Sequence, residues 1–159
     1  MDLDPNLDPN LDLVLTRDLK APRDLLWRCW TTPEHLVHWF VPKPHRVTAC
    51  DLDVRVGGRF NTTFLVDGDE MENLGVYLEV VPQEKLVFTD AYTEGWKPVP
   101  EPFMTAILTF EDLGQGRTRY TAIARHRNVE TTRQHQDMGF FEGWGTVAEQ
   151  LEAYARGLA

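Results

Sequence analysis

The sequence predicts an α+β fold in which a strongly curved antiparallel sheet wraps around a long C-terminal helix. Three observations support this prediction. The C-terminal segment carries large apolar side chains at steps of three and four residues. Between His45 and Arg127, short runs of alternating apolar and polar residues are separated by turn-forming residues. Two short helical segments follow the first predicted strand. The predicted order is therefore one strand, two short helices, about six strands and the long helix.

The predicted C-terminal helix spans residues Thr131–Ala159 and has one apolar and one polar face. Its apolar stripe consists of Phe140, Trp144, Val147, Leu151, Tyr154 and Leu158. Gly139, Gly143 and Gly145 lie in or beside its first turns, where a glycine costs up to about 1 kcal/mol relative to alanine. We expect these glycines to allow close packing of the helix backbone against the sheet. The alternative interpretation is a gap left for a bound molecule.

The chain before this helix divides into a tail and the strands of the sheet. Residues 1–10 contain Leu-Asp-Pro-Asn twice, and we expect them to form a disordered acidic tail. Residues 11–159 are expected to form a single domain, in which Pro22 and Pro33 suit the first turns of the two short helices. Because the sheet presents more inward-facing positions than one helix can cover, we expect a cavity between them.

The composition excludes several classes of function. The 159-residue chain has a formal net charge of −9, so binding to nucleic acid is not expected. It has no apolar run long enough to span a membrane and no signal-peptide pattern, so we expect a cytoplasmic protein. Cys29 and Cys50 fit buried, unpaired thiols. Pairing into a homodimer through a free sheet edge is left open.

Catalytic and metal-binding patterns are largely missing from the sequence. It contains no serine, which excludes Ser-His-Asp catalysis, and neither cysteine lies in a motif for thiol catalysis. His35 and His38 lack the further ligands of a zinc site, so neither a metal nor a cofactor is expected. We interpret His126 and His135 as structural or surface residues. A general-base role for one of them is the alternative.

Five segments carry a family resemblance: residues 21–27 (APRDLLW), 30–36 (WTTPEHL), 53–60 (DVRVGGRF), 75–82 (GVYLEVVP) and 138–144 (MGFFEGW). They resemble the START-like, Bet v 1-like superfamily called SRPBCC, and specifically its bacterial branch named after the activator of heat-shock protein 90 ATPase. The resemblance covers residues 11 to about 156. It implies a helix-grip fold with a hydrophobic cavity, whereas ligands and activities vary widely within the superfamily.

We expect the cavity wall to consist of aromatic residues and one methionine near the glycine-rich start of the helix. These residues are Phe60, Phe64, Tyr77, Phe88, Trp96, Phe103, Tyr120, Met138, Phe141 and Trp144. Arg55 or Glu72 is the predicted polar anchor. No residue is assigned a catalytic role.

The leading functional hypothesis is a non-catalytic module that binds a hydrophobic small molecule, lipid-like or polycyclic, in a stress-related role that the resemblance implies. One alternative is a chaperone-associated interaction protein, which predicts a closed core and an exposed apolar patch. The other is an acid/base enzyme of the polyketide cyclase type, which predicts two titratable side chains with shifted pKa values in the cavity.

Overall fold

The computed structural model describes residues 6–158. Along the chain its elements are β1 (Asp12–Leu19), α1 (Arg23–Thr31), α2 (Pro33–Leu36), β2 (Arg46–Leu52), β3 (Phe60–Val66), β4 (Asp69–Asn73), β5 (Val76–Val81), β6 (Lys85–Thr89), β7 (Tyr92–Thr93), β8 (Lys97–Pro98), β9 (Thr105–Gly114), β10 (Arg117–Arg125), α3 (Val129–Asp137) and α4 (Phe140–Leu158). The predicted α+β class, with two short helices after the first strand and a long helix at the end, is confirmed.

The strands form two antiparallel sheets that meet along one seam. One sheet has the order β1-β10-β9-β6-β5 and the other the order β2-β3-β4, while β7 and β8 form a small hairpin. At the seam, the Gly57 N–H donates to the Tyr77 carbonyl at 2.8 Å, and the Tyr77 N–H donates to the Gly58 carbonyl at 3.0 Å. The Phe60 N–H donates to the Gly75 carbonyl at 2.9 Å. These bonds join the two sheets into one wall that faces the helices.

The predicted continuous helix over residues Thr131–Ala159 is wrong, because the segment is divided into α3 and α4 at Gly139. Gly139 has a φ of +94°, a left-handed conformation that residues with a side chain rarely adopt and that commonly ends a helix. The side chain of Asn128 caps the start of α3 by accepting a hydrogen bond from the Thr131 N–H at 2.8 Å. The apolar stripe begins only at Phe140, so it carried no information about the residues before the break.

Between β4 and β5 the strand structure is interrupted by Leu74 and Gly75. At Gly75 the chain passes very close to β6, because an added Cβ would lie 2.4 Å from the Thr89 carbonyl oxygen. This close approach requires glycine. The break separates the three-stranded sheet from the five-stranded one and helps to place β4 at the rim of the cavity described below.

The C-terminal half of α4 packs closely onto α1 and β1. Val147, Ala148, Leu151 and Ala155 are buried there in the same core as the apolar side chains of β1 and α1. Tyr154 ties α4 to α2, since its hydroxyl lies 2.7 Å from Nδ1 of His35. None of the helices within residues 6–158 combines the length and hydropathy that crossing a membrane demands.

The start of β1 is held by a buried ion pair. Asp12 accepts two hydrogen bonds from Arg125 of β10, at 2.9 and 3.0 Å. Burial alone would raise the pKa of Asp12, but the Arg125 guanidinium and the Asp8 N–H outweigh it and lower that pKa. The N–H of Asp8 donates to Asp12 at 2.9 Å, so this part of the expected disordered tail is in contact with the sheet. Residues 1–5 of that tail lie outside the described residues.

Replacing Gly58 with alanine is expected to destabilise the fold by on the order of 2 kcal/mol or more. An added Cβ would lie 1.9 Å from the backbone oxygen of Asp53, so the turn that leads into β3 would have to move. The midpoint of urea unfolding, followed by circular dichroism, measures the effect.

Gly157→Ala is the matched control. An added Cβ at Gly157 of α4 meets no atom within 4 Å, so this variant should be neutral or stabilised by up to about 1 kcal/mol. Equal unfolding midpoints for the Gly58→Ala and Gly157→Ala proteins would contradict this account of the seam.

Candidate functional site

A cavity of about 600 Å³ lies between the start of α4, the end of α3 and the strands β3, β4 and β6. Among the described residues, eight of those that line it are aromatic: Trp30, Phe40, Phe60, Phe64, Phe88, Phe103, Phe140 and Trp144. Polar groups are fewer, and they include Thr62, Asn73, Thr89, Asp90, Gln134 and His135. The volume and the composition are those of a site for a small, predominantly apolar molecule.

The glycines at the start of α4 explain why this space exists. Gly139 and Gly143 both line the cavity, and a Cβ added at Gly143 would meet no atom within 4 Å. Gly145 differs, because an added Cβ would lie 3.3 Å from Nη2 of Arg17 on β1. Gly143 therefore fits the interpretation of a gap for a bound molecule, whereas Gly145 fits close packing.

The aromatic side chains on the sheet side of the cavity are packed against one another. The rings of Phe60 and Phe88 are stacked, with centroids 4.1 Å apart and an interplanar angle of 11°. Phe40 contacts both Phe60 and Phe64 edge to face, at centroid distances of 5.9 and 5.8 Å. Rings fixed in this way offer a large apolar surface that loses little conformational entropy when a ligand binds.

The mouth of the cavity is formed by flexible apolar side chains. Met71 and Leu74 come from the β4–β5 segment, and Met138 comes from the break between α3 and α4. All three are exposed, and Met138 most of all, with 68% of its surface accessible. Unbranched methionine side chains adapt to different shapes, so this rim can fit itself to an entering molecule.

Two histidines form a buried hydrogen-bonded pair beside the cavity. Nε2 of His126 lies 2.8 Å from Nδ1 of His135, and Nδ1 of His126 lies 2.8 Å from the Leu11 carbonyl oxygen. The ring of His135 contacts Phe103 at a centroid distance of 4.6 Å and Phe140 at 5.1 Å. Burial, and to a smaller extent the neighbouring His126, lower the pKa of His135 to about 4. His135 is therefore a neutral polar group in the cavity wall at neutral pH.

Asp90 lines the cavity, and its carboxylate is hydrogen-bonded to backbone groups of the cavity wall. Its carboxylate accepts hydrogen bonds from the N–H groups of Phe103 and Met104, at 2.8 and 3.0 Å respectively. The hydroxyl of Thr89 lies 3.2 Å from the Met104 carbonyl oxygen, to which it donates. These bonds fix Phe103 at the cavity wall.

Of the ten predicted wall residues, the structure brings together six in this cavity: Phe60, Phe64, Phe88, Phe103, Met138 and Trp144. Tyr77 is fully buried and contacts Phe60 from behind the wall, at a centroid distance of 5.4 Å. Tyr120 is buried against Phe110. Neither of these tyrosines lines the cavity.

The other two predicted wall residues lie on the surface. Trp96 covers Gly57 and contacts Tyr92 at a centroid distance of 5.7 Å, with 49% of its surface exposed. Phe141 is also exposed, since it is one helical position away from the inward-facing Phe140. In the structure, Tyr77, Trp96, Tyr120 and Phe141 therefore lie outside the cavity wall.

Neither predicted polar anchor lines the cavity. Arg55 is exposed and pairs with Asp53 at 2.8 Å, next to the seam between the sheets. Glu72 is exposed on β4, where the strand alternation directs it away from its neighbour Met71. His135 and Asp90, two of the polar residues that do line the cavity, were not predicted as anchors.

Sequence reasoning noticed His135 but assigned it a structural or surface position. The available signal was its place beside the cavity-lining start of α4, nine residues after His126. Met71 and Leu74 carried a different signal, because they are the apolar residues within an acidic hairpin. Single exposed apolar side chains are common, so this signal alone could not have placed either residue at the cavity.

Thiol and metal chemistry have little support at this site. Burial raises the pKa of Cys29 to about 11 and that of Cys50 to about 12, so both are protonated at neutral pH. Both cysteines are unpaired. Within residues 6–158, no group of three or more His, Cys, Asp or Glu side chains could hold a metal ion.

The stability of the fold should decrease as the pH falls from neutral towards 4. The pKa of His135 is lowered from its ordinary value of 6.5 to about 4. Between these pH values the unfolded chain binds a proton that the folded chain does not bind. By pH 5 the loss is expected to be on the order of 2 kcal/mol, measured by urea unfolding.

His135→Gln should remove most of this pH dependence, whereas the matched variant His38→Gln, on the exposed side of Tyr154, should keep it. Asp12, the nearest buried carboxylate, has a lowered pKa and titrates below this window. An identical pH dependence in the wild-type and His135→Gln proteins would show that His135 is not buried as a neutral group.

Comparisons with known proteins agree with this architecture. Residues 20–156 match the family model described as Activator of Hsp90 ATPase homolog 1-like protein. A crystal structure of a protein from Nitrosomonas europaea is 39% identical, has a TM-score of 0.92 and covers 96% of this chain and 98% of that chain. A protein from Mycobacterium smegmatis is 28% identical, with a TM-score of 0.76 over 96% of this chain and 94% of that chain.

An AHSA1-like protein from Aeromonas hydrophila shares the fold at 15% identity, with a TM-score of 0.67 over 92% of this chain and 94% of that chain. A comparison with curated proteins found no match. The family model covers the chain from the end of β1 to the last turns of α4. The resemblance inferred from the sequence is therefore confirmed, and the chain belongs to the AHSA1-like family of the SRPBCC, Bet v 1-like superfamily.

Proposed function

We propose that this protein binds a hydrophobic small molecule, lipid-like or polycyclic, in the cavity under the start of α4. The observation that carries the proposal is the cavity itself, about 600 Å³ of space walled mainly by apolar side chains, many of them aromatic. Well-packed cores of this size have few voids larger than a water molecule, so such a space has a cost in stability that a ligand would offset. Its volume lies within the usual range of ligand sites.

The composition of α4 supports the proposal. A helix that served only to close the core would gain stability from alanine or a larger residue at position 143, where nothing obstructs a side chain. Gly143 leaves that space open and lines the cavity. The exposed rim of Met71, Leu74 and Met138 supplies an apolar entrance. Together these features favour reversible entry of an apolar molecule.

The same rim favours a second candidate function, a chaperone-associated interaction, as suggested by the name of the family. Met138 in the α3–α4 break and Phe141 in the first turn of α4 are both exposed, and an exposed apolar patch is typical of a protein contact. The open cavity argues for a ligand first, since an interaction protein has no need of an internal space. We also propose that the protein is located in the cytoplasm, that residues 11–159 form a single domain, and that the chain can form a homodimer through a free edge of the sheet.

Gly143→Phe tests the proposed function, because Gly143 lines the cavity and a Cβ added there meets no atom within 4 Å, so we expect the ring to take up space in the cavity. We expect it to weaken the binding of 1-methoxypyrene, an uncharged fluorescent probe, by at least about tenfold, which corresponds to about 1.4 kcal/mol. Probe fluorescence during a protein titration measures the affinity.

Gly157→Phe is the control, because Gly157 also lies in α4 with open space around its Cβ but does not line the cavity. This variant should bind the probe as the wild-type protein does. Absence of probe binding in the wild-type protein, or binding that Gly143→Phe leaves unchanged, would reject the cavity as the ligand site.

A further inference from the structure

The Leu11 carbonyl determines which nitrogen atoms of the histidine pair donate and which accept hydrogen bonds. A carbonyl oxygen can only accept, so Nδ1 of His126, 2.8 Å away, carries a proton and donates it. In a neutral imidazole the other nitrogen is then an acceptor, so Nε2 of His126 accepts from Nδ1–H of His135 at 2.8 Å. The two rings therefore form a chain of donors that runs from the cavity wall to the start of the sheet.

This series of hydrogen bonds leaves Nε2 of His135 as an acceptor that a molecule in the cavity could use. In a neutral His135 with its proton on Nδ1, the Nε2 atom carries a lone pair. His135 lines the cavity, and within residues 6–158 its Nε2 makes no hydrogen bond. Phe103 and Phe140 contact the ring, and together with the hydrogen bond to His126 they hold its orientation. The acceptor is thus built into the wall rather than free to turn.

The charges around the cavity decide which polar group it can take. Neither lysine nor arginine occurs among the described residues that line it, while Asp90 contributes a carboxylate. A ligand carboxylate would lose its hydration without meeting a cation, which is costly in an apolar site. A neutral hydroxyl group suits this wall better than a carboxylate does, because it donates a hydrogen bond and the wall presents acceptors.

We infer that the ligand is a neutral aromatic or polycyclic molecule with a hydroxyl group that donates a hydrogen bond to Nε2 of His135. His126 is a positioning residue, because it keeps the proton of His135 on Nδ1. This inference rests on the proposed function and adds to it the chemical class of the ligand. It separates hydroxylated ring compounds from fatty acids, which the shape of the cavity alone does not do.

Three pyrene probes of similar size test the inference near pH 7.5: 1-hydroxypyrene, 1-methoxypyrene and pyrene-1-carboxylate. We expect 1-hydroxypyrene to bind the wild-type protein about fivefold or more tightly than 1-methoxypyrene, the range of one neutral hydrogen bond. Pyrene-1-carboxylate should bind most weakly. Equal affinities for the hydroxyl and methoxy probes, or tightest binding of the carboxylate, would overturn the inference.

His135→Phe should abolish the preference for the hydroxyl probe while 1-methoxypyrene still binds, which also shows that the variant is folded. The control His38→Phe, outside the cavity, should keep the preference. If His135→Phe does not fold, His135→Leu replaces it and should reduce the same ratio, because leucine also lacks an acceptor. A preference that survives the loss of the imidazole overturns the assignment of His135.

Long-range ¹H–¹⁵N spectra of the imidazoles measure directly which ring nitrogens carry protons. We expect Nε2 of His135 to be unprotonated and Nδ1 of both rings to be protonated in the wild-type protein. His126→Gln should remove this single tautomer of His135 and lower the hydroxyl preference, with 1-methoxypyrene affinity unchanged. A protonated Nε2 on His135 in the wild-type protein would overturn the inference.

The experiments distinguish a failure of the proposed function from a failure of the ligand class assigned here. If none of the three probes binds, or if Gly143→Phe leaves their binding unchanged, the proposed function fails and the inference fails with it. If Gly143→Phe blocks the probes but the hydroxyl preference is missing or independent of His135, only the assignment of the ligand class fails.

Discussion

The C-terminal half of α4 packs closely against the rest of the domain, whereas its first turns border a cavity. The candidate site depends on this difference in packing. Over the C-terminal half of α4, Leu151 and Ala155 are buried against α1 and β1. Over its first turns, Gly143 has open space where a Cβ would lie, and it lines the cavity together with Gly139, which precedes the helix. The buried half supplies the hydrophobic stabilisation, so the other half can leave a cavity without detaching the helix.

The histidine pair links this open end to the beginning of the sheet. The Leu11 carbonyl accepts from both the backbone N–H and the Nδ1–H of His126, at 2.9 and 2.8 Å. Through His135 the same chain of hydrogen bonds reaches α3 and the cavity wall. The ion pair of Asp12 and Arg125 fixes the same end of β1, so His135 at the cavity wall is connected to the start of the sheet.

Much of the fold could be predicted from the sequence, because it depends on patterns of local range. The alternation of strand residues and the prolines at Pro22 and Pro33 indicate the order of the elements, and Phe60 and Phe64 share one face as alternation requires. The break at Gly139 was missed, since glycine in a helical pattern indicates either a turn or close packing. Its φ of +94° decides between them only in three dimensions.

The candidate site was predictable in its general character but not in all its members. Aromatic composition cannot distinguish Tyr77, behind the wall, from Phe60, on it, because both belong to inward-facing surfaces of neighbouring strands. His126 and His135 come from β10's end and α3, and only the folded chain brings their rings to a centroid distance of 5.1 Å. Periodicity can be recognised in a single sequence, whereas contacts between elements distant in the chain cannot.

The most direct test of the central claim is a map of backbone amide chemical shifts in ¹⁵N-labelled protein titrated with 1-hydroxypyrene. The account predicts that the largest changes cluster around the cavity, at Thr62, Gly75, Thr89 and Gly143, with little change at Gly157. It also predicts that Gly143→Phe suppresses these changes. Changes centred elsewhere on the surface, or equal changes in the Gly143→Phe protein, would contradict the claim that the space under α4 is a ligand site.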